Sequence, residues 1–408
     1  MVETLPSEHR PAAGPRNTVA LGLILLFAAA LRFYWNDVEP YSPADETRYL
    51  SDTRALVQGG ITSYPGIVDG FLADPARWVS PSPLRWGYLS TASLFCGLTH
   101  DVSFRALATL STMAGLLSVL MTYLVGAELL SRTAAIFGAA LVTTSPLQLA
   151  LGRRALADEL FCLAFLVALF TLLRHLRAER ARERAGWLIG WIVATTMAFA
   201  IKEQFLLVYP VVLLFWWFRS GRRLTPRHVL TWTLPPLLYA SVFCLLSASV
   251  SKFFRVAWIT SSTIGAPYAM RYQSGPPHRV LIDFLAIAPI VTVATILAVA
   301  FVALRLSRCE EGEWQLLLLF AGIVAAHALL PSKNLRYLIE ADPLARLLVA
   351  SFAWREIRIR GLGLPTVVVA LVINGAVELT LFVTIFVRGA VYDPVTDTVL
   401  RALDMLPR

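Results

Sequence analysis

Long apolar runs are the feature of this 408-residue chain that most limits how it can fold. We find about eleven such runs, and most are long enough for an α-helix to cross a bilayer. The composition agrees, because 57% of the residues are hydrophobic and only 15% are charged, against about 25% charged in a typical soluble domain. We therefore predict an all-α, polytopic transmembrane helical bundle. The predicted spans are residues 18–35, 104–126, 134–151, 159–173, 187–201, 205–218, 229–250, 280–304, 314–330, 341–353 and 364–387.

The positive charge of the chain is distributed as membrane topology requires. The formal net charge is +9, which alone would also suit a nucleic-acid-binding protein. The arginines, however, cluster in loops between alternate apolar runs, at residues 174–184, 219–227 and 355–360. Such clusters mark cytoplasmic loops rather than a surface for a nucleic-acid backbone. We therefore predict a cytoplasmic N-terminus and no nucleic-acid partner.

This topology divides the chain into three parts. Residues 1–17 are predicted to form a cytoplasmic tail, residues 18–387 the transmembrane domain, and residues 388–408 a short outer tail. We predict an integral protein of a bacterial plasma membrane, with its functional site on the outer face. The segments predicted to lie on that face are residues 36–103, 152–158, 202–204, 251–279 and 331–340.

The first outer segment is predicted to be helical and to lie on the membrane surface. Ser42 is a good N-cap, Pro43 is a good first helical residue, and Gly59-Gly60 is a good stop. Residues 86–99 are apolar but short, which favours an interfacial helix over a span.

Asp45 and Glu46 are the leading candidates for catalysis. The spacing Ser42-x-x-Asp45 has a structural alternative, a capping box in which Asp45 only satisfies backbone donors. The second carboxylate and the nearby bilayer favour a functional role, because a carboxylate partly withdrawn from water binds a proton more readily and suits a general base. In the predicted helix, Tyr49 and Asp52 share a face with Asp45.

Basic residues on the outer segments are candidate ligands for a phosphate group. Arg154, Lys202, Lys333 and Arg336 all lie in or beside apolar runs, where a charge is costly. Taken singly, each is better explained as an anchor whose long side chain reaches water. Their shared face with the acidic pair favours function, because arginine binds phosphate bidentately and lysine neutralises its charge.

Three other outer residues have both structural and functional explanations. Asp158 can cap the span that follows it, pair with Arg154, or face the site. Tyr268 and Tyr272 lie in an aromatic segment that suits surface anchoring or the holding of an acceptor. The four cysteines lack metal-ligand spacing, and the sequence has no glycine-rich phosphate loop.

Five short motifs resemble those of a known family. The first is Asp45-Glu46-Thr47-Arg48-Tyr49, which resembles the acidic motif of the GT-C glycosyltransferases. It is most similar to the branch that holds the protein O-mannosyltransferases and the aminoarabinose transferases of lipid A. The others follow in order and span nearly the whole transmembrane region. They are Pro83-Leu84-Arg85-Trp86-Gly87-Tyr88, Arg153-Arg154-Ala155-Leu156-Ala157-Asp158-Glu159-Leu160, Ala200-Ile201-Lys202-Glu203 and Ser332-Lys333-Asn334-Leu335-Arg336-Tyr337-Leu338.

The resemblance implies a particular donor and mechanism. The donor would be a sugar on polyprenyl or dolichyl phosphate, used on the non-cytoplasmic face. The sugar would be transferred with inversion at the anomeric carbon, and Asp45 would be the base. The chain differs from the family in two respects, one at the expected phosphate-binding residues and one at the expected acceptor-binding domain. Ser82-Pro83 stands where relatives often carry a basic residue, and the soluble domain that some relatives use for the acceptor is not seen after the last span.

The hypothesis from sequence is an inverting glycosyltransferase of envelope glycan synthesis, acting on a lipid, protein or polysaccharide. Glu46 would hold the acceptor or orient the base. No cofactor is required, although outer carboxylates could hold a divalent metal. The alternatives are a transporter or flippase of a lipid-linked saccharide and a non-catalytic assembly subunit. The candidate phosphate-binding residues are Arg85, Arg154, Lys202, Lys333 and Arg336, and the candidates that line the site are Arg48, Tyr49, Asp158, Tyr268 and Tyr272.

Overall fold

The protein folds into a helical bundle. The computed structural model describes residues 15–35, 43–79, 81–221, 225–262, 273–305, 309–359, 361, 363–391 and 393–402. Within these ranges there are eighteen α-helices and no β-strand. The predicted all-α class is confirmed.

The helices follow the apolar runs of the sequence closely. The first nine are α1 (Pro15–Tyr34), α2 (Pro43–Gly59), α3 (Tyr64–Ala73), α4 (Trp86–Thr99), α5 (Phe104–Leu129), α6 (Arg132–Thr143), α7 (Pro146–Gly152), α8 (Asp158–Arg177) and α9 (Ala181–Ile201). The others are α10 (Phe205–Arg219), α11 (Pro226–Leu246), α12 (Val250–Ser262), α13 (Arg279–Ile287), α14 (Pro289–Leu304), α15 (Glu311–Ala328), α16 (Ala341–Ile359), α17 (Leu364–Leu381) and α18 (Pro394–Ala402). A π-helical segment, Phe382–Arg388, continues α17.

Six of the described helices are long and apolar enough to cross a membrane, and α6 with α7 makes a seventh if this bent pair is one span. The six are α1, α5, α8, α9, α11 and α17 with its π-helical continuation. The protein is therefore an integral membrane protein. The total of about eleven spans and the side of the membrane on which each loop lies stay predictions.

Two predicted spans are each divided into two helices. Residues 134–151 break between α6 and α7, which meet at an angle of 56°. Ser145 caps α7 and Pro146 is its first residue, a combination that starts a new helix. Residues 280–304 break before Pro289, which begins α14, because proline has no amide donor to continue the preceding helix.

Two buried arginines stabilise the bend between α6 and α7. Arg32 of α1 donates to the carbonyl oxygens of Val142 and Thr143. Arg346 of α16 donates to the carbonyl oxygen of Leu141, 2.7 Å away. Cations at this helix end satisfy carbonyls that lack helical partners and oppose the negative end of the helix dipole. The bend sets the direction in which α7 leads to its C-terminal turn.

The described residues of the predicted first outer segment are mostly helical, as predicted. Helix α2 ends at Gly59, and the following Gly60 has a φ of 66°, a conformation that favours a residue without a Cβ. The predicted stop is therefore confirmed, whereas the predicted cap Ser42 lies outside the described residues. Helix α4 covers residues 86–99 and packs against α2 and α9.

Candidate active site

Four carboxylates and four basic side chains meet where several helices begin or end. The first turn of α2 supplies Asp45 and Glu46, and the residue before α4 supplies Arg85. The other members come from the turns between α7 and α8, between α9 and α10, and before α16. The four ion pairs are Asp45–Arg336, Glu46–Arg154, Asp158–Lys202 and Glu203–Arg85. We call this group the ion-pair cluster.

Asp45 and Arg336 form a partly exposed pair of the cluster. The Asp45 Oδ2 atom lies 2.8 Å from a terminal nitrogen of Arg336, and the two side chains are 13% and 25% exposed. Arg336 belongs to a short 3₁₀ turn, Leu335–Leu338, and its own backbone amide donates to the Asn334 side chain at 3.1 Å. Both residues were predicted from the sequence to belong to one site, and in the structure they are in direct contact.

Glu46 and Arg154 form a fully buried pair. Two Arg154 nitrogens donate to the two Glu46 carboxylate oxygens at 2.8 and 2.9 Å. The Ala155 amide donates to the same carboxylate at 3.2 Å. The exposed fraction of Glu46 is 0%. This bidentate contact fixes the start of α2 against the turn after α7.

Asp158 pairs with Lys202 rather than with Arg154. The Lys202 ammonium donates to the Asp158 carboxylate at 2.5 Å, and both side chains are buried. The same ammonium lies 5.2 Å from the centre of the Tyr337 ring, within range of a cation–π contact. Asp158 is the first residue of α8, and Ala157 takes the cap position. Of the alternatives that the sequence left open for Asp158, capping of the helix by its side chain is therefore excluded.

Arg85 is held by Glu203 and Tyr49. Its guanidinium donates to the two Glu203 oxygens at 2.7 and 2.6 Å and also to the Tyr49 hydroxyl. Burial alone would raise the pKa of Glu203, but Arg85 and Lys202 outweigh it and lower that pKa. Burial raises the pKa of Tyr49, so its phenol stays neutral. The Tyr49 ring also packs on Tyr88, with 4.3 Å between ring centres.

Glu203 is the member of the cluster that was not among the site residues predicted from the sequence. The available signal was the doublet Lys202-Glu203, which interrupts an apolar run. A lysine next to a glutamate invites the assumption that the two neutralise each other. In the structure they diverge, and each pairs with a partner from a distant part of the chain.

Four predicted site residues lie elsewhere or cannot be placed. Lys333 donates through its ammonium to the Leu330 carbonyl, and its pKa is lowered by burial and by the nearby Arg279. Arg48 lies on α2 but forms its ion pair with Asp52, at 2.8 Å. The remaining two lie outside the described residues. They are Tyr268 and Tyr272.

The cluster has the chemistry of an anion site beside a base. Each carboxylate contacts a cation, and among the described residues no group of three or more histidine, cysteine or acidic side chains is arranged to hold a metal ion. Asp45 is not sealed by this contact, since 13% of its side chain is exposed. An anion that competes for Arg336 would therefore release a carboxylate at the same place.

Comparison with known proteins yields one family model and several solved structures. The model is described as dolichyl-phosphate-mannose-protein mannosyltransferase and matches residues 87–250, a segment that includes Arg154, Asp158, Lys202 and Glu203. No curated protein matches the sequence. An oligosaccharyltransferase from Archaeoglobus fulgidus, tethered to an acceptor peptide, is 13% identical, with a TM-score of 0.58 over 90% of this chain and 55% of that one.

Two further structures carry bound polyprenyl or dolichol phosphate. ArnT from Cupriavidus metallidurans, with undecaprenyl phosphate, is 15% identical, with a TM-score of 0.52 over 85% of this chain and 63% of that one. AglB from Archaeoglobus fulgidus, with an inhibitory peptide and dolichol phosphate, is 12% identical, with a TM-score of 0.60 over 93% and 56%. The chain has the GT-C glycosyltransferase fold. The resemblance predicted from the motifs is confirmed, and the chain spans less than two thirds of these GT-C proteins.

Proposed function

We propose that this protein is an inverting glycosyltransferase that moves a sugar from a polyprenyl- or dolichyl-phosphate donor to an acceptor hydroxyl. The observation that carries the proposal is the partly exposed Asp45–Arg336 pair, set among three further cations at the ends of membrane helices. A carboxylate base and an arginine for the leaving phosphate are the two groups that this reaction requires.

The reaction begins with exchange of partners at Arg336. The donor phosphate takes the place of the Asp45 carboxylate on the guanidinium, which binds phosphate bidentately. Asp45 is then free to accept the proton of the acceptor hydroxyl. As the acceptor oxygen bonds to the anomeric carbon, the bond from that carbon to the phosphate oxygen breaks. The electron pair leaves with the polyprenyl phosphate, so no general acid is needed.

The other cations divide into a contacting group and a positioning group. Arg85 is partly exposed and shares the site with Tyr49, so it is the second candidate for the donor phosphate. Arg154 is almost fully buried, and two of its guanidinium nitrogens donate to the Glu46 carboxylate. We assign Glu46 and Arg154 the task of holding Asp45 in place, which is the orienting role that the sequence left open for Glu46.

The fold and the family model support a lipid-linked donor. Structures with the same fold contain undecaprenyl phosphate or dolichol phosphate, and the family model is named for a dolichyl-phosphate sugar. The proposed site is at the outer face of a bacterial plasma membrane, in agreement with the distribution of arginines. Residues Lys202 and Asp158 would line the donor side, and Arg48 the outer rim of α2.

The proposal is tested with the purified protein in lipid nanodiscs. Donor and acceptor are supplied as the total lipid extract of source cells that lack the protein, because such cells retain the unused donor. We expect free polyprenyl phosphate to appear in equal amount with a glycosylated product, both detected by mass spectrometry. If no donor is consumed, the result would contradict transfer. If the intact donor moves between leaflets without release of polyprenyl phosphate, the result would favour the transporter instead.

A further inference from the structure

A second polar site lies at the opposite end of the bundle from the ion-pair cluster. It is a cavity of about 440 Å³ between the C-terminal ends of α8 and α10 and the N-terminal ends of α9 and α11. Along α8, the cavity residue His175 follows the cluster residue Asp158 by seventeen positions, which is roughly 25 Å of helix. The cavity residues are His175, Leu176, Arg184, Leu188, Trp216, Thr225, Arg227, His228 and Thr231.

The charge of this cavity is unbalanced. Arg184 and Arg227 line it together with two histidines, and none of the described residues that line it is acidic. The ion-pair cluster differs in this respect, because every cation there contacts a carboxylate. Positive charge that is gathered in a concave surface without a counterion attracts an anion.

The cavity wall is fixed by hydrogen bonds before any ligand binds. The Arg184 side chain donates twice to the Ala178 carbonyl, at 3.0 and 2.8 Å, and its own carbonyl accepts from the His175 Nδ1 atom at 2.9 Å. On the other wall, Thr225 and His228 form a capping box at the start of α11. A helix N-terminus carries partial positive charge and exposes amide donors.

The floor of the cavity is aromatic. Trp216 is buried, and its ring lies 4.7 Å from the Trp191 ring, 5.6 Å from His175 and 5.9 Å from His228. Trp216 lies near the C-terminal end of α10, and tryptophans near the ends of membrane helices are typical of the level of the lipid headgroups. The cavity therefore combines an apolar floor at the membrane boundary with a basic rim.

We propose that this cavity binds the phosphate-bearing headgroup of an anionic phospholipid. Basic pockets between membrane helices recognise such headgroups through the phosphate, while the acyl chains lie along the apolar helix surface. A free phosphate has the same charged group but makes no use of the aromatic floor or of the neighbouring bilayer. The proposal does not depend on the transferase reaction, since the two sites are at opposite ends of the same helices.

The test compares binding of phosphatidylglycerol and phosphatidylcholine to the full-length protein in detergent by native mass spectrometry. Arg227→Gln is the main variant, because Arg227 is exposed and its substitution should leave the fold intact. Arg184→Gln is the second. Arg182→Gln is the matched control, since Arg182 is an exposed arginine of α9 that does not line the cavity. We expect the first two to weaken phosphatidylglycerol binding about fivefold each and the control to leave it unchanged.

Two outcomes of this comparison would overturn the proposal. One is equal retention of the two lipids by the wild-type protein. The other is a loss of phosphatidylglycerol binding in Arg182→Gln as large as that in Arg227→Gln. Such a result would show that binding depends only on the overall positive charge of this region. A further arm adds inorganic phosphate alone. If phosphate raises the thermal midpoint of the wild-type protein but phosphatidylglycerol does not, the site binds free phosphate and the lipid assignment is wrong.

Discussion

Arg336 contacts Asp45 at 2.8 Å and thereby joins the turn before α16 to the first turn of α2. Neither side chain is sealed from solvent, in contrast to the Glu46–Arg154 pair one residue further along α2. The neighbouring acids Asp45 and Glu46 thus have different environments and different tasks. In the proposed reaction the first acts as the base, and the second fixes the position of the first.

Removing the charge of Arg336 should weaken use of the donor more than it weakens the fold. In Arg336→Gln the leaving phosphate loses a charged partner, and we expect kcat/KM for the donor to fall about 10- to 100-fold. Arg336→Lys should retain part of the activity, because lysine supplies charge but not the bidentate fork. The matched control is Arg77→Gln, which changes a partly exposed arginine paired with Asp74. Equal losses in the two glutamine variants would contradict the assignment.

Breaking the buried Glu46–Arg154 pair should reduce stability. In Glu46→Gln, Arg154 is left as a buried charge without its carboxylate, which typically costs about 3–5 kcal/mol. We expect a lower thermal midpoint in detergent, measured by intrinsic fluorescence. The double variant Glu46→Gln/Arg154→Gln should recover part of the loss, since no buried charge remains. If the thermal midpoint of the double variant falls by as much as the decreases of the two single variants added together, the two residues are not coupled.

Gly87 permits the close approach of α4 and α9 on which the cluster depends. A Cβ at this position would lie 2.7 Å from the Ala200 Cβ and 2.9 Å from the Ala200 carbonyl carbon. Gly87→Ala should therefore displace the chain at Ala200 and with it Lys202 and Glu203. Overpacking of this kind typically lowers the free energy of unfolding by about 1–3 kcal/mol, and the displacement should reduce transfer. Gly97→Ala in the same helix has open space around the new methyl group. It should leave transfer unchanged, and loss of transfer in this control would contradict the packing argument.

The raised pKa of Asp52 should make the stability of the folded protein depend on pH. Burial raises its pKa from the ordinary value of 3.8 to about 6, although Arg48 opposes the shift. The folded protein therefore binds this proton more tightly than the unfolded chain, so stability falls as the pH rises from 3.8 to 6. Thermal midpoints across this range should decline less steeply in Asp52→Asn than in the wild type. Identical slopes would show that Asp52 does not contribute.

The sequence predicted the helical elements and the face of α2 because both follow from local periodicity. Asp45 and Tyr49 are one helical turn apart, so local helix geometry alone places them on the same face of α2. The break at Ser145-Pro146 also carries a local signal, a cap followed by proline. Because apolar residues flank this signal on both sides, residues 134–151 were predicted as one continuous span.

The pairing within the cluster could not be predicted from the sequence. Lys202 and Glu203 are adjacent, but their side chains point to Asp158 and Arg85, which different helices bring into place. Lys333 shows the converse, since it is three residues from Arg336 yet contacts the Leu330 carbonyl. Which acid meets which base depends on how the helices pack, and neighbouring positions in a turn face different ways.

The most direct test of the account compares Asp45→Asn with Asp52→Asn in a strain that lacks the protein. The two variants make the same substitution on the same helix, but only Asp45 contacts Arg336. Mass spectrometry of the envelope glycans and glycolipids should show a defined sugar mass restored by the wild type and by Asp52→Asn, and absent with Asp45→Asn at equal protein level. Restoration of that mass by Asp45→Asn would remove Asp45 from the mechanism and contradict the account.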